Sequence, residues 1–356
     1  MPHPQATTHC MKTDASVLVV IVNYRTAALV VDCLRSLQDQ VLAHGSTRVT
    51  VVDNVSGDGS ADVIDAAIHD LGWAPWATLV RAPLNGGFAY GNNMAVRPAL
   101  QGGLAPDFFW LLNPDTVVQP GALQGLLGFA REHPEAGICG SGIDDPDGTP
   151  WPFAFRFPSA IGSLESGLRL GVITRLLKRW AVVQRMGDKP ARADWVSGCS
   201  MLVRRQVFET VGLMDEGFFL YFEETDFCLA AQRAGWQCWF TPAGRVTHIS
   251  GQSTGVTGSH SAVKPLPAYW HESRRRYWIK NHGRAHAALA DLLWITGFVL
   301  WRMRRVIQRK ADTDPPHVLR DFIRHSALLR GDLPVNQAVF ADVSAAPPPF
   351  RQGESR

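Results

Sequence analysis

Short, continuous apolar runs alternate along the first part of the chain with segments whose apolar residues recur at helical spacing. Ser16–Asn23 and Phe108–Leu112 are apolar on both faces, which is typical of strands buried in a covered parallel sheet, and Arg48–Asp53 is predicted as a further strand. Between Ser16–Asn23 and Arg48–Asp53, the apolar positions from Leu29 to Val41 predict an amphipathic helix. This alternation of strands and helices predicts an α/β fold with a Rossmann-like, doubly wound and mostly parallel sheet.

The strand Phe108–Leu112 is followed at once by Asn113, Pro114 and Asp115. Pro114 has no N–H group to give to a neighbouring strand, so pairing must stop there. We therefore expect Asn113 and Asp115 at the carboxyl edge of the sheet, where open α/β folds bind ligands. A carboxylate there suits a hard divalent cation. The same residues also favour a turn, and this stretch alone leaves both interpretations open.

Two other segments bring polar groups to the same edge. Asp53 ends the second strand, and its carboxylate could accept a hydrogen bond from a ribose or a base, or could instead cap the next helix. Asn85, Gly86 and Gly87 form a glycine-rich loop before a predicted helix, whose first N–H groups could face a diphosphate. The loop matches neither the dinucleotide-binding motif nor the P-loop. By itself it is a weak indication.

Three carboxylates, those of Glu223, Glu224 and Asp226, follow an aromatic run and fall in the first turn of a predicted helix. Acids there complement the helix dipole, but a carboxylate among apolar groups also gains the basicity that a general base needs. His248 follows after a predicted strand and a turn. Trp195 has small neighbours and suits either a bound sugar or simple packing.

Composition and charge indicate a globular protein and point to no particular partner. The chain has 356 residues, of which 46% are hydrophobic and 19% charged, and this is typical of a globular enzyme-sized protein. Its net charge of +3 is too small to indicate a partner. The cysteines are scattered and the N-terminal segment lacks the apolar core of a signal peptide, so we expect reduced thiols and a cytoplasmic protein.

The C-terminal part is basic. Eleven Lys or Arg residues lie between Lys264 and Lys310, around the apolar stretch Ala285–Trp301. This stretch is short for a bilayer span and contains Asp291, so it predicts an amphipathic helix at a membrane surface. A helix docked on the domain is the alternative. No nucleic-acid-binding motif accompanies the arginines, and we expect no nucleic-acid partner.

Two stretches lack regular patterns. Residues 142–193 break the alternation of strands and helices, and we interpret them as a variable excursion or flexible loop without assigned chemistry. Residues 312–356 are rich in proline and are predicted to be largely disordered. Residues 1–15 are predicted to form a disordered tail.

The motifs together resemble those of family 2 glycosyltransferases, closest to the bacterial rhamnosyltransferase-like branch. They are found at residues 19–24, 51–60, 85–93, 113–115, 221–226 and 248, in the order and spacing of that family. The resemblance covers about residues 16–280. It implies a GT-A fold for residues 16–260, followed by a basic helical extension at 261–311.

The resemblance also implies roles for single residues. Asp115 and His248 would bind Mg²⁺ or Mn²⁺, with Asn113 in place of the first aspartate of the family's Asp-x-Asp motif. Glu224 would be the catalytic base, where relatives usually have aspartate, with Glu223 or Asp226 as substitutes. The donor would contact Asn23, Asp53, Asn85, Gly86, Gly87, Asn113 and Trp195.

The leading hypothesis is therefore an inverting, metal-dependent glycosyltransferase. Its donor would be a nucleotide sugar, with dTDP-rhamnose the best candidate, and its acceptor a hydroxyl of a polyprenyl-linked or cell-surface glycan. It would act as a peripheral protein at the inner face of the plasma membrane. A UDP-hexose or UDP-galactofuranose donor is an alternative, as is a non-catalytic subunit that binds sugar nucleotides or glycans. The joint presence of Asp115, Glu224 and His248 argues against the last.

Overall fold

The computed structural model describes residues 15–151, 153–249 and 264–339. The strands are β1 (Val17–Asn23), β2 (Thr47–Asp53), β3 (Ala77–Arg81), β4 (Phe108–Leu112), β5 (Thr116–Val118), β6 (Ala136–Asp144), β7 (Pro150–Trp151), β8 (Phe153–Phe155), β9 (Val183–Arg185), β10 (Ala191–Ala193), β11 (Ser200–Arg204) and β12 (Gln237–His248). The helices are α1 (Ala27–His44), α2 (Ser60–Asp70), α3 (Gly87–Gln101), α4 (Ala122–Glu132), α5 (Ala160–Leu168), α6 (Gly171–Leu176), α7 (Arg205–Val211), α8 (Glu223–Arg233), α9 (Ala268–Ile307) and α10 (Val318–His325).

The central sheet has the order β10-β12-β6-β11-β4-β1-β2-β3. The strands β1 to β4 pair in parallel with one another, whereas β11 is antiparallel to both β4 and β6. Every residue of β4 is buried, and consecutive residues of β1 point into different apolar clusters, Val19 into one and Val20 into the other. The sheet is therefore covered on both faces, and the predicted α/β fold with a mostly parallel sheet is confirmed.

Two registers determine what lies at the carboxyl edge of β4. Because β11 runs antiparallel with Ser200 opposite Leu112, the residues before β11 lie beside the residues that follow β4. The N–H of Asn113 accordingly donates to the carbonyl of Cys199 (2.9 Å). On the other side, β12 pairs antiparallel with β5, which places His248 opposite Thr116.

Strand β12 is longer than the sequence predicted. The predicted turn before His248 is instead a register shift between Thr241 and Arg245 within one continuous strand. Pro242 lies in this interval and cannot donate to a neighbouring strand, and such irregularities let a strand bend without ending. The strand thus continues to His248 and brings it to the same edge as Asp115.

Residues 142–193, predicted to be a variable or flexible excursion, form ordered structure in the described part. They include α5, which packs along α9 with glycines at the crossing. A Cβ added at Gly167 would lie 2.6 Å from the carbonyl oxygen of Trp294, and one added at Gly297 would lie 2.8 Å from that of Leu164. Side chains at these positions would force the helices apart, so the glycines permit the close contact.

The basic C-terminal segment docks on the domain through α9, which contains a break at Gly283 (φ 79°). Arg274 is buried and forms an ion pair with Asp291. Arg276 and Lys280 both bind Asp215, at 2.9 and 2.7 Å. The first group of basic residues is therefore occupied inside the protein, which corrects the prediction that the arginines of this helix lie at lipid head groups. Among the described residues, no helix has the length and apolar character needed to cross a bilayer.

The segment after residue 312, predicted to be largely disordered, is ordered as far as residue 339. Helix α10 packs on α9, with the rings of Phe322 and Trp294 stacked at 3.9 Å. Farther along, the side-chain amide of Asn336 donates to the carbonyl of Gly86 (2.7 Å). From the proline content, we expected the entropy lost on ordering this segment to keep it disordered. Burial of these side chains offsets that loss. The remainder of that predicted tail, and residues 1–14, lie outside the described residues.

Candidate active site

Asp115 and His248 lie together at the carboxyl edge of the sheet. Nε2 of His248 is 3.2 Å from Oδ1 of Asp115; Asp115 is buried, and 14% of the His248 side chain is exposed. The N–H of Ile249 donates to the carbonyl of Asp115 (2.9 Å), which fixes the two segments to each other. Burial disfavours the charged imidazole, but Cys199 and Asp115 outweigh it and raise the pKa of His248 to about 10.

The two side chains suit a shared divalent cation. Carboxylate oxygen and imidazole nitrogen are both ordinary ligands of such ions, and their separation of 3.2 Å is short enough for both to reach one ion. Within the described ranges, no group of three or more His, Cys, Asp or Glu residues forms a candidate metal cluster. A cation held by these two residues therefore needs oxygens of water or of a substrate, as Mg²⁺ commonly does.

The backbone is strained just before Glu223, Glu224 and Asp226, which together form the acidic cluster. Tyr221 and Phe222 have φ values of 72° and 69°, in the left-handed region, which costs of the order of 1–3 kcal/mol for each such residue. Phe219, two residues before Tyr221, is held by the glycine-rich loop, since the N–H of Phe88 donates to the carbonyl of Phe219 (3.0 Å). A Cβ at Gly87 would lie 1.8 Å from that carbonyl oxygen. The loop and the start of α8 thus form one rigid unit.

Glu223 and Glu224 open α8; Glu223 is buried and Glu224 is half-buried. Burial raises the pKa of Glu223 well above its usual value, and the neighbouring charge of Glu224 raises it further. Burial also raises the pKa of Glu224, while a hydrogen bond from the backbone of Gly198 acts in the opposite direction. In the described structure, Oε2 of each is buried without a hydrogen-bond partner. Glu224 also lines a cavity, so it is placed to take a proton from a bound group.

Asp226 has a different role from the one predicted. Its carboxylate accepts hydrogen bonds from Lys280 and Asn281 of α9, both at 2.6 Å. The residue is buried, and its oxygens are occupied by these partners. The structure therefore makes Asp226 an anchor for α9 and not a substitute base.

Gly198 and Cys199 connect the two parts of the site. The backbone of Gly198 hydrogen-bonds Glu224, and the thiol of the next residue, Cys199, contacts His248. Glu224 and the Asp115–His248 pair therefore lie on either side of one dipeptide. Cys199 was not among the predicted site residues. It lies in a run of small residues at 197–200, just before a strand, and such a run can indicate that other segments approach closely.

Asp53 lies at the end of β2 and lines a second cavity, of about 290 Å³, together with Arg81 and the glycine-rich turn at 57–59. Its carboxylate accepts hydrogen bonds from Asn23 (2.7 Å) and from the hydroxyl of Ser56 (2.5 Å). Asn23 is fully buried and also accepts from Thr26 (2.9 Å). Asn23 therefore orients Asp53 and is not exposed to a ligand.

The loop Asn85–Gly87 differs from the predicted diphosphate site. The N–H of Gly87 donates to the side chain of Asn85 (3.2 Å), and the N–H of Phe88 is taken by Phe219. The carbonyl of Gly87 accepts from Asn54 (2.8 Å). The N–H groups of the first two residues of α3 are thus bonded within the protein, and the loop connects the residue after β2 to Phe219, just before the acidic cluster.

Asn113 and Trp195 are the two further predicted donor contacts. Asn113 is half-buried and is held beside Asp115 by its backbone bond to Cys199. Trp195 stacks on Phe155, with the ring centres 4.1 Å apart. Its indole N–H donates to the carbonyl of Arg156 (3.0 Å). Trp195 also lines the same cavity as Glu224.

The sequence profile described as glycosyltransferase like family 2 matches residues 15–263. The chain belongs to this family. The matched region includes Asp53, Asp115, Glu224 and His248, so the whole geometry described above lies within the family 2 domain, whereas α9 and α10 lie beyond it.

Relatives of known description support a rhamnosyltransferase-like member of family 2. The chain is 34% identical over 169 residues to the N-acetylglucosaminyl-diphospho-decaprenol L-rhamnosyltransferase of Mycobacterium tuberculosis, which covers 46% of this chain and 54% of the relative. It is 25% identical over 171 residues to rhamnosyltransferase WbbL of Escherichia coli, covering 46% and 61%. It is 26% identical over 215 residues to the low-salt glycan biosynthesis hexosyltransferase Agl10 of Haloferax volcanii, covering 60% and 61%. The chain thus spans about half the length of the mycobacterial relative.

Among solved structures, GalNAc-T7 with UDP, GalNAc and Mn²⁺ has a similar fold. The TM-score is 0.54 at 14% identity, covering 91% of this chain and 59% of that protein. At this identity the likeness concerns the fold alone. It agrees with the GT-A arrangement of a mostly parallel sheet followed by a helical C-terminal region.

Proposed function

We propose that the protein is an inverting, metal-dependent glycosyltransferase that moves rhamnose from dTDP-rhamnose to a hydroxyl of a lipid-linked glycan. The proposal rests on one observation: the backbone of Gly198 contacts Glu224 while Cys199 contacts His248. This supports the proposal, because the proposed base and the proposed metal ligands then contact neighbouring residues of one dipeptide. The relatives named as rhamnosyltransferases in Mycobacterium tuberculosis and Escherichia coli favour this sugar.

In the proposed reaction, Glu224 accepts the proton of the acceptor hydroxyl. The hydroxyl oxygen forms a bond to the anomeric carbon of the donor on the face opposite the leaving group. The bond from that carbon to the diphosphate oxygen breaks, and the nucleoside diphosphate departs with the electron pair, so the configuration inverts. A buried carboxyl group with a raised pKa suits this role because its basicity is greater than that of an exposed glutamate.

Asp115 and His248 would hold Mg²⁺ or Mn²⁺, whose chemistry when bound is to neutralise the charge of the diphosphate. Asp53, oriented by Asn23 and Ser56, would accept from the base or ribose of the donor. The cavity that it lines is open at the same edge of the sheet.

A UDP-hexose or UDP-galactofuranose donor is the second candidate. The Haloferax volcanii relative is described as a hexosyltransferase and aligns over a longer stretch than the rhamnosyltransferases do. Donor choice depends on a few contacts in one pocket, so related sequences can differ in it. A thermal-shift panel of nucleotide sugars distinguishes between the two candidate donors.

A thermal-shift panel with Mn²⁺ tests the donor. A ligand at 100 times its Kd adds about 2.7 kcal/mol to the free energy of unfolding by mass action, so dTDP-rhamnose should stabilise the protein more than UDP-galactose, UDP-galactofuranose or GDP-mannose. Release of nucleoside diphosphate is then measured with the stabilising donor. Stabilisation without release from any donor would contradict the enzymatic proposal and favour a sugar-nucleotide-binding subunit.

We also propose that the protein contacts the inner membrane surface through the end of α9 and α6. Val299, Met303, Val306 and Ile307 of α9 and Val172 and Leu176 of α6 are exposed. Arg304 of α9 donates to the carbonyls of Leu168 and Arg169, at 2.9 and 2.8 Å, and so holds α9 to the end of α5, just before α6. Exposed cations near α6, such as Arg175 and Lys178, would attract anionic lipids.

Co-sedimentation with phosphatidylglycerol vesicles tests the membrane contact. The double variant Met303→Asp with Ile307→Asp should reduce the bound fraction, since it places charge in the apolar surface. Leu104→Asp is the matched control, because Leu104 is 98% exposed in a different part of the fold. Equal binding by the double variant and the wild type would contradict the proposal.

A further inference from the structure

A cavity of about 370 Å³ lies against Glu224. Its walls come from the family 2 domain, including α5, and from α9 and α10. The tryptophans among them are Trp195, Trp270, Trp278 and Trp294. This volume is in the range of ordinary ligand sites, which are mostly apolar with a few polar groups that orient the ligand.

Much of this cavity lies outside the region that the family profile matches. The profile ends at residue 263, whereas Trp270, Trp278 and Trp294 belong to α9 and Phe322 belongs to α10. A substrate group in this cavity would therefore contact α9 and α10 as well as residues of the matched region, such as Trp195 and Tyr221. Specificity determined here would not follow from membership of the family.

The added wall is held rigidly. Arg274 lines the cavity and pairs with the buried Asp291 of the same helix. Asp291 also accepts from the N–H of Ala327 (2.7 Å), after α10, and the guanidinium of Arg274 lies 4.5 Å from the ring centre of Phe322. These contacts join α9 and α10, so the cavity is built before any ligand enters.

The lining suits a sugar ring. Aromatic rings offer flat apolar faces to the C–H faces of a pyranose, while Ser163 and Thr225 bring hydroxyl groups to the same cavity. The cavity also contains the carboxylate that would act as base. The group next to a base must present the hydroxyl that loses its proton, and on a glycan acceptor this hydroxyl belongs to a sugar.

We infer that this cavity is the acceptor subsite and that it binds the acceptor's sugar ring between Trp195 and the aromatic side chains of α9. The inference rests on the proposed glycosyltransferase function and adds to it which part of the acceptor is recognised, and by which residues. The lipid segment of the acceptor then lies outside the cavity, toward solvent or a membrane.

Site-directed labelling tests the subsite. Ser166 of α5 lines the cavity and is exposed, so Ser166→Cys can be modified with N-phenylmaleimide in the folded protein. The described native cysteines are buried, and Cys10 is replaced by serine in the background. The matched control is Ile161→Cys, at a position of the same helix that is 40% exposed and does not line the cavity.

The comparison is between labelled and unlabelled samples of each variant, with two assays. Labelling at 166 should lower sugar transfer to an N-acetylglucosaminyl-diphospho-lipid by about a hundredfold or more, since a displacement of about 1 Å in the reacting geometry already costs this much. Hydrolysis of the donor by water should be unaffected, and labelling at 161 should affect neither assay. Full transfer by labelled Ser166→Cys would overturn the inference, and so would a parallel loss of donor hydrolysis, which would place the cavity in the donor site.

Protection from labelling identifies the occupant. Methyl N-acetylglucosaminide should slow modification of Ser166→Cys, whereas octyl diphosphate should not. Protection by octyl diphosphate alone would overturn the inference and assign the cavity to the lipid. If the unlabelled protein released no nucleoside diphosphate from any donor, the proposed function itself would fail; an active enzyme that is insensitive to labelling would contradict the subsite alone.

Discussion

Nε2 of His248 lies 3.2 Å from Oδ1 of Asp115, although the two residues belong to distant parts of the chain. The contact exists because β12 runs antiparallel to β5 with His248 opposite Thr116. A slip of one residue in this register would turn His248 to the other face of the strand. The paired strands therefore determine whether the two side chains can share a ligand.

Asp115→Asn should remove most of the stabilisation that Mn²⁺ and dTDP together give the wild type. The change keeps the shape of the side chain but removes the charge that attracts a hard cation. The measurement is the shift in Tm on adding Mn²⁺ with dTDP. Asp147→Asn, at an exposed loop position, should behave as the wild type, and an undiminished Mn²⁺ effect in Asp115→Asn would contradict the metal assignment.

Glu224→Gln should lower kcat by about 10²–10⁴-fold, the usual contribution of a general base, with little change in donor affinity. Glu223→Gln should retain much more activity, because the pKa of Glu223 is raised well above its usual value and a neutral glutamine resembles its protonated form. Single-turnover transfer and donor titration separate the two effects. A larger loss in Glu223→Gln than in Glu224→Gln would reverse the assignment.

The pH profile of kcat/KM should have its acidic limb above the ordinary glutamate range. Burial raises the pKa of Glu224, so the carboxyl group stays protonated, and inactive as a base, at pH values where an exposed glutamate is already ionised at about 4.3. Activity should then rise as the pH increases through the raised pKa. Stopped assays across the acidic range measure this limb, and a limb near the ordinary value would show that Glu224 is not the group that titrates.

Glu223→Gln should stabilise the protein at neutral and alkaline pH but not in acid. The folded-state pKa of Glu223 is raised, so the stabilising contribution of its protonated form is complete below the unfolded pKa and is lost as the pH rises through the folded pKa. Glutamine removes this dependence. Urea unfolding of both proteins at several pH values tests the prediction; an advantage of the variant that grew in acid would contradict it.

Asp291→Ala should destabilise the protein strongly, by about 3–5 kcal/mol, because it leaves the buried charge of Arg274 without its partner. Asp32→Ala is the matched control. Asp32 pairs with Arg35 at the surface, where both side chains are 57% exposed, and such pairs contribute about 0–1 kcal/mol. Denaturant unfolding compares the two variants, and similar losses would contradict the view that the Arg274–Asp291 pair fixes α9.

Predictions from the sequence agree with the structure where the signals are local and differ from it where distant segments meet. The first turn of α8 was predicted to contain Glu223, Glu224 and Asp226, and it does, because the apolar run before it and the helical pattern after it are local signals. The role of Asp226 was not accessible in this way. Its partners Lys280 and Asn281 come from α9, and nothing in the sequence indicates that α9 packs there.

The sequence by itself determined the α/β order, the end of β4 at Leu112 and the family, because apolar periodicity, proline and motif spacing act along neighbouring residues. Only the tertiary structure decided that Gly198 contacts Glu224 while Cys199 contacts His248, that residues 142–193 support α9, and that Arg274, Arg275 and Arg276 of α9 are buried. These outcomes depend on strand registers and helix contacts between distant segments. Such contacts are selected by the free energy of the whole packed core, which no local stretch of sequence contains.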